Sequence, residues 1–164
     1  MNKQEYMSAG TSVNQVPRTH KALVKYGGRF KNFDNGAGKY LAGTNYLLEH
    51  GITNFRYDPY NLTDDINSQS LNNEGECDTS TVANVLNVIK EKEVQLEVIK
   101  RSYKMLKPGG ICLISAYYNK SKEAGPTSNG WQWHKPLKWY LPIVKEVFAE
   151  AVIKNGLIVA RKEF

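Results

Sequence analysis

Among residues able to do chemistry, the run Asp34-Asn35-Gly36-Ala37-Gly38-Lys39-Tyr40 comes first, with Asp58 placed 22 positions after Gly36. Two glycines one residue apart let a backbone turn sharply and let a ligand approach the main chain with no Cβ in the way. A helix starting after such a turn aims unpaired N–H groups at whatever sits there. A carboxylate about twenty residues on, ending the next strand, accepts hydrogen bonds from ribose hydroxyls in nucleoside-binding βαβ units. A second candidate set lies in Gly130-Trp131-Gln132-Trp133-His134-Lys135. There an imidazole suits a general base, and the indoles suit stacking on a base or bracketing a cation. Packing of that loop on the core is the competing reading. Tyr117, Tyr118 and His20 are further candidates for a general base. His20, His50 and His134 are far apart in the sequence and Cys77 and Cys112 form no Cys-x-x-Cys pair, so no metal site is expected.

The elements that must position these residues follow from punctuation and periodicity. Val16-Pro17 reads as a helix start, with Gly27-Gly28 as its stop near residue 26. Arg18, His20, Lys21 and Lys25 give that helix a basic face, either solvated or turned to an anionic ligand. A strand over 29–34 leads into the glycine turn, a helix over 39–50 follows, and a strand over 55–58 is stopped by Pro59. Together these have the length of a βαβ unit, about thirty residues. Residues 61–76 are polar and weakly patterned, which predicts a loop with at most one helical turn and a trimmed sheet edge. Residues 78–88 suit a central buried strand. Asn84 and Asn87 interrupt it near the end where open α/β sheets bind ligands, and either also suits a helix cap.

Leu96, Ile99, Tyr103 and Leu106 recur at helical spacing over 92–106. Lys107-Pro108-Gly109-Gly110 ends that helix, and 111–117 is an unbroken apolar strand. Continuous apolar strands alternating with helices argue for a parallel sheet covered on both faces. A loop over 119–129, a helix over 137–148, and two short strands meeting at Asn155-Gly156 complete the chain; that dipeptide predicts an antiparallel hairpin. Residues 1–12 show no apolar period and predict a loose arm. The expected division is an N-terminal arm and helix over 1–28 and a single domain over 29–164.

Composition bounds the function class. The 164 residues are 41% hydrophobic and 23% charged, as in a globular protein. No apolar run approaches the roughly 18–20 residues that span a bilayer, and the first residues lack the apolar core of a signal peptide. Cys77 and Cys112 read as structural thiols, which places the chain in the cytoplasm. Lysine and arginine exceed acids by 22 − 16 = 6, which permits an anionic partner such as nucleic acid without requiring one.

The order of these motifs resembles the class I S-adenosylmethionine-dependent methyltransferases. Asp34-Asn35-Gly36-Ala37-Gly38 matches the family's first motif and Asp58 its second strand end. Asp78 with Asn84-Val85-Leu86-Asn87-Val88-Ile89 matches the fourth motif, and Leu106-Lys107-Pro108-Gly109-Gly110 the entry to the fifth strand. Within the family the chain looks like small methyltransferases of phage and prophage, and more distantly like those of DNA phosphorothioation loci. The resemblance implies a Rossmann-like doubly wound sheet, mostly parallel, with a C-terminal antiparallel hairpin and a trimmed edge after the second strand. It implies S-adenosylmethionine as cofactor, held by Asp34, Asn35, Gly36, Ala37, Gly38, Asp58, Pro59 and Asn84. Asp34 would approach the amino group, Asp58 the ribose and Pro59 the adenine, with Asn84 near the sulfonium. Tyr117, Trp131, Trp133 and His134 would lie toward the methyl acceptor, a nucleic acid or small molecule.

Three features depart from the family pattern. Tyr40 stands where many members have a third glycine. No clear residue receives the adenine amino group, Asp64 and Asp65 being the candidates. Asn84-Val85-Leu86-Asn87 is not the Asn/Asp-Pro-Pro-Tyr/Phe motif of DNA amino-methyltransferases, and no Pro-Cys pair supplies a cytosine-C5 nucleophile. The alternative is a non-catalytic protein that keeps the fold and acts on a macromolecule through its basic surface. A nicotinamide-dinucleotide site fits the motifs less well.

Overall fold

A computed structural model describes residues 3–7, 10, 12–26 and 31–164. Its centre is a six-stranded sheet in the order β2-β1-β3-β4-β8-β7. The strands are β1 (Lys31–Asn35), β2 (Thr53–Tyr57), β3 (Cys77–Ala83), β4 (Leu106–Ser115), β7 (Glu150–Lys154) and β8 (Leu157–Arg161). The first four are mutually parallel, and β8 and β7 run antiparallel to their neighbours. This is the doubly wound, mostly parallel sheet expected, with β2 at the trimmed edge. Asn155 and Gly156 both adopt positive φ, 52° and 75°, as a tight turn between twisted strands demands.

Both faces are covered. Leu113 and Ile111 of β4 pack with Leu23 of α1 (Arg18–Lys25) and Leu47 of α2 (Ala42–Glu49). Cys112 and Ile114, the alternate residues, pack with Val98 and Ile99 of α4 (Lys92–Met105) and Tyr140 and Val144 of α5 (Leu137–Lys145). Burial on both faces is why this strand reads as one apolar run rather than an alternation. Cys77 and Cys112 are buried free thiols, both pushed up to about 12 by burial.

Several expectations need correction. Residues 61–76 contain a helix of more than two turns, α3 (Asp64–Leu71), packed on β2. Thr63 caps it, its hydroxyl accepting the Ile66 N–H at 3.3 Å, and Asp64 and Asp65 complement the positive end of the helix dipole. The α4 helix buries Val94, Gln95, Val98, Ile99, Ser102 and Met105, so of the expected stripe Ile99 is buried while Leu96 and Tyr103 are only part-buried, and Leu106 begins β4. Asn35 explains the shift: its amide donates to Val98 O and Ser102 Oγ, drawing that face onto β1. The α2 helix starts at Ala42, three residues later than expected, and β3 ends at Ala83. A small hairpin, β5 (Gly125–Thr127) and β6 (Gly130–Gln132), lies within the stretch read as a loop. The helix stop at Gly27-Gly28 and the first two residues of the strand over 29–34 lie outside the described residues.

Candidate functional site

A cleft opens at the carboxyl ends of β1, β2 and β3, where the chain leaves each strand into a turn. It is lined by Asp34 to Gly38 from the first turn, Tyr57 to Asn61 from the second, and Ala83 to Val85 from the third. All eight residues proposed for the cofactor side are therefore together.

The glycine turn is held by strand β2 and its following turn. Gly36 N and Ala37 N donate to Tyr57 O at 2.8 and 3.0 Å, and Gly38 N donates to Asp58 Oδ2 at 2.9 Å. The N–H groups of these three turn residues are thus taken by the end of β2, and α2 starts only at Ala42. Gly36 and Gly38 have φ of 82° and 71°, a region that disfavours side chains. A Cβ on Gly36 would lie 2.5 Å from Val85 Cγ2, and one on Gly38 would lie 2.4 Å from Ser12 Oγ. Tyr40, in place of a third glycine, is exposed at the rim.

Asp58 is a hub. Besides Gly38 N it accepts Tyr60 N at 2.9 Å, Asn61 N at 3.1 Å and Asn61 Nδ2 at 3.1 Å. Its own N–H donates to Asn67 Oδ1 of α3 at 2.8 Å. The helix missed in the sequence thus positions the carboxylate; Thr63 ahead of two aspartates was the signal that could have revealed it.

Asp34 faces the opposite layer. Oδ2 receives His20 Nε2 and Asn54 Nδ2, each at 2.9 Å, and Oδ1 receives Thr81 Oγ1 at 3.2 Å. Burial raises its pKa, but the His20 charge and these hydrogen bonds outweigh that, so the carboxyl lies below its ordinary value. His20 is buried and points inward, whereas Arg18, Lys21 and Lys25 are exposed; the basic face of α1 does not include His20. Asn84 takes a positive φ of 55° with its N–H on Ser115 O at 3.0 Å, leaving it exposed at the cleft edge. Asp78 lies at the far end of β3, where it accepts Lys31 N and pairs with Lys107. Asp64 and Asp65 are exposed on α3 and do not line the cleft.

The aromatic set is separate. Tyr117, Trp131, Trp133 and His134 are brought together, but none lines the cleft. Trp131 and Trp133 meet edge-on at 5.4 Å, and His134 meets Tyr117 at 5.8 Å. Trp133 Nε1 donates to Ile89 O at 2.6 Å and its ring packs on the core, which is the packing alternative. Burial and then the Lys122 charge lower the His134 pKa.

Residues 1–12, expected to be loose, make specific contacts where described. Tyr60 Oη donates to Gln4 Oε1, Glu5 N donates to Glu91 Oε2 at 2.9 Å, and Lys90 pairs with Glu5 at 2.6 Å. Tyr6 stacks on Trp131 at 5.6 Å and Ser12 Oγ accepts Lys39 N at 3.3 Å. Gln4, Ser12, Val13, Gln15 and Pro17 thereby line the cleft. No apolar period announced this, because the strap is held by polar and ring contacts.

No group of three or more His, Cys, Asp or Glu placed to hold a metal occurs among the described residues, and no helix there is long and apolar enough to cross a membrane.

Neither a family model nor a curated protein matches the sequence. Solved structures do match the fold, and they are S-adenosylmethionine-dependent methyltransferases. A Burkholderia thailandensis 1,6-didemethyltoxoflavin N1-methyltransferase, solved with its substrate and S-adenosylhomocysteine, aligns at TM-score 0.63 and 15% identity, over 89% of this chain and 77% of that one. A methyltransferase from Methanosarcina mazei aligns at 0.63 and 11% identity, over 87% and 97%. The sugar N-methyltransferase KedS8 from a Streptoalloteichus species aligns at 0.60 and 9% identity, over 89% and 85%. The chain has the class I methyltransferase fold.

Proposed function

We propose that this protein is an S-adenosylmethionine-dependent methyltransferase acting on a small molecule. The observation that carries the reading is Asp58 joined to Gly38 N at the strand ends, with the Gly36 and Gly38 positions kept free of side chains at the same turn. The fit to the donor is steric and electrostatic: glycines leave the main chain approachable, and Asp34, Asp58 and Glu97 supply negative charge to a cationic ligand. Asp58 would hold the ribose hydroxyls by giving up some of its loop hydrogen bonds, and Pro59 and Asn84, which line the same cleft, would help to hold the group. Residues 29–164 form the catalytic domain and the arm its cover.

Bound S-adenosylmethionine supplies a methyl group already activated on a sulfonium. The protein's task is then alignment and exclusion of water, which can supply most of the effect. Gln4, Ser12, Val13 and Gln15 of the arm and Asn84 line the cleft and would border the space for an acceptor. Among the cleft's described lining, Arg101 is the only lysine or arginine, and its guanidinium sits 4.6 Å over the Tyr57 ring. A phosphate backbone needs lysine and arginine contacts, so the lining favours a small acceptor over nucleic acid. The cytoplasm and a phage or prophage kinship belong to the same proposal.

Calorimetry with S-adenosylmethionine and S-adenosylhomocysteine on wild type and Asp58→Ala tests it, followed by transfer of labelled methyl to metabolite, RNA and DNA pools. Binding by wild type, weakened in the variant, with label in the metabolite pool is expected. No binding by wild type overturns it. Binding without transfer favours the non-catalytic reading, which one observation supports: His20, the only histidine among the cleft's described lining, is already committed to Asp34.

A further inference from the structure

The pair formed by His20 and Asp34 has a property that follows from its surroundings. Both side chains line the cleft, yet they are only 1% and 5% exposed. The groups around them are neutral. From α1, Thr19 Oγ1 lies 3.1 Å from His20 Nδ1. From β2, Asn54 donates to Asp34 Oδ2, and its amide also reaches Thr44 Oγ1 of α2 at 3.0 Å. From β3, Thr81 donates to Oδ1. Gly43 of α2 abuts the imidazole, where a Cβ would lie 3.0 Å from the ring. Asp58, which ends the neighbouring strand, is engaged by N–H groups. Among the described residues, His20 is the only side chain bonded to Asp34 that can carry positive charge.

Two protonation states satisfy this geometry. A neutral imidazole donates from Nε2 to Asp34 and accepts the Thr19 hydroxyl proton at Nδ1. An imidazolium donates from both nitrogens, Thr19 Oγ1 turning to accept. Imidazole is the side chain whose charge can change near neutrality. A second cation entering the cleft next to Asp34 competes for the same countercharge.

We propose that His20 and Asp34 form a proton-linked site for the cationic part of the ligand, which binds with release of the Nδ1 proton of His20 to solvent. The proposal rests on the donor reading above, since S-adenosylmethionine carries both an ammonium and a sulfonium and S-adenosylhomocysteine an ammonium alone. His20 acts through Asp34 and is a positioning residue. The linkage sign is fixed: the deprotonated pair binds the cation better, so affinity rises with pH, by at most about tenfold per unit for one proton.

The test is calorimetry of both ligands in two buffers of different ionisation enthalpy, from mildly acidic to mildly alkaline pH. Wild type is expected to bind with a buffer-dependent heat that reports proton release, and with affinity climbing as pH rises. His20→Gln keeps an N–H donor for Asp34 but does not titrate; it should bind with no release and a flat pH profile. Asp34→Asn, which removes the charge, should lose the release and weaken binding about tenfold or more. A purely structural His20 would change stability and leave the buffer dependence intact. Binding by wild type with the same heat in both buffers overturns the inference and leaves the donor reading standing, as does release that persists in His20→Gln. If wild type binds neither ligand, the donor reading falls and takes the inference with it.

Discussion

Asp58 Oδ2 accepts the N–H of Gly38 at 2.9 Å, so the residue ending the second strand holds shut the turn that follows the first. The same carboxylate accepts Tyr60 N and Asn61 N through its other oxygen. One side chain therefore organises two loops at the cleft, and its removal should be felt in both.

Asp58→Ala leaves three backbone donors without their acceptor. A buried group stripped of its partner costs about 1–3 kcal/mol, so the variant should unfold at lower denaturant and bind S-adenosylhomocysteine more weakly. Equilibrium denaturation alongside calorimetry checks both. Unchanged stability would mean that water satisfies those donors.

Gly36→Ala and Gly38→Ala should differ in kind. Both positions have positive φ, which costs a non-glycine residue about 1–3 kcal/mol. At Gly36 the new methyl meets Val85, part of the turn after β3, whereas at Gly38 it meets the hydroxyl end of Ser12 on the strap. Gly36→Ala should be the less stable of the two. Ser12→Gly should partly rescue Gly38→Ala and do nothing for Gly36→Ala, which denaturation of the double variants reads directly.

Asp34 predicts an acid limb of stability. Its folded-state pKa is depressed, so its contribution is fully present above the unfolded carboxyl value, about 3.9, and is lost as pH falls through the folded value. The denaturation midpoint should fall steeply below about pH 4, and Asp34→Asn should be less stable at neutral pH with a flatter acid limb. A variant with the same slope as wild type would assign the limb to other acids.

The strap should behave as a cover held by few contacts. Tyr6→Ala removes the ring stacked on Trp131, and Glu5→Ala removes the partner of Lys90. Together they should change the indole emission and quicken ligand release several-fold while leaving stability little changed. Stopped-flow displacement measures the release rate; an unchanged rate would show that the strap does not retain the ligand.

Cys77 and Cys112 should resist alkylation in the native state. Burial pushes both thiols up to about 12 and denies access to reagent. Labelling followed by mass spectrometry should therefore track unfolding, with neither site modified on the native timescale.

Much of this was legible in the order of residues. The apolar run over 111–115, buried from both sides, the Asn155-Gly156 turn, and the spacing of Asp58 from Gly36 are local patterns with local causes: side-chain period, backbone φ and element length. They determined the order along the chain of the six strands of the main sheet, the trimmed edge and the place of the glycine turn, but not α3 or the β5–β6 hairpin. The eight residues proposed for the donor side came from the resemblance to the methyltransferase family, carried onto a turn that local pattern had located.

What only the tertiary structure decided are relationships between residues distant in the chain. His20 reads as part of a basic stripe until α1 docks on the sheet and turns it toward Asp34. Residues 61–76 look like a loop because α3 has a polar surface and is held by Asn67 and Ser70 bonding to β2 and the turn after it, not by an apolar stripe. The arm reads as loose for the same reason. Trp131 and Trp133 lie away from the cleft because the β5–β6 hairpin and the core take them. Hydrophobic periodicity records which face of an element is buried; it carries no record of which polar groups find each other once it is.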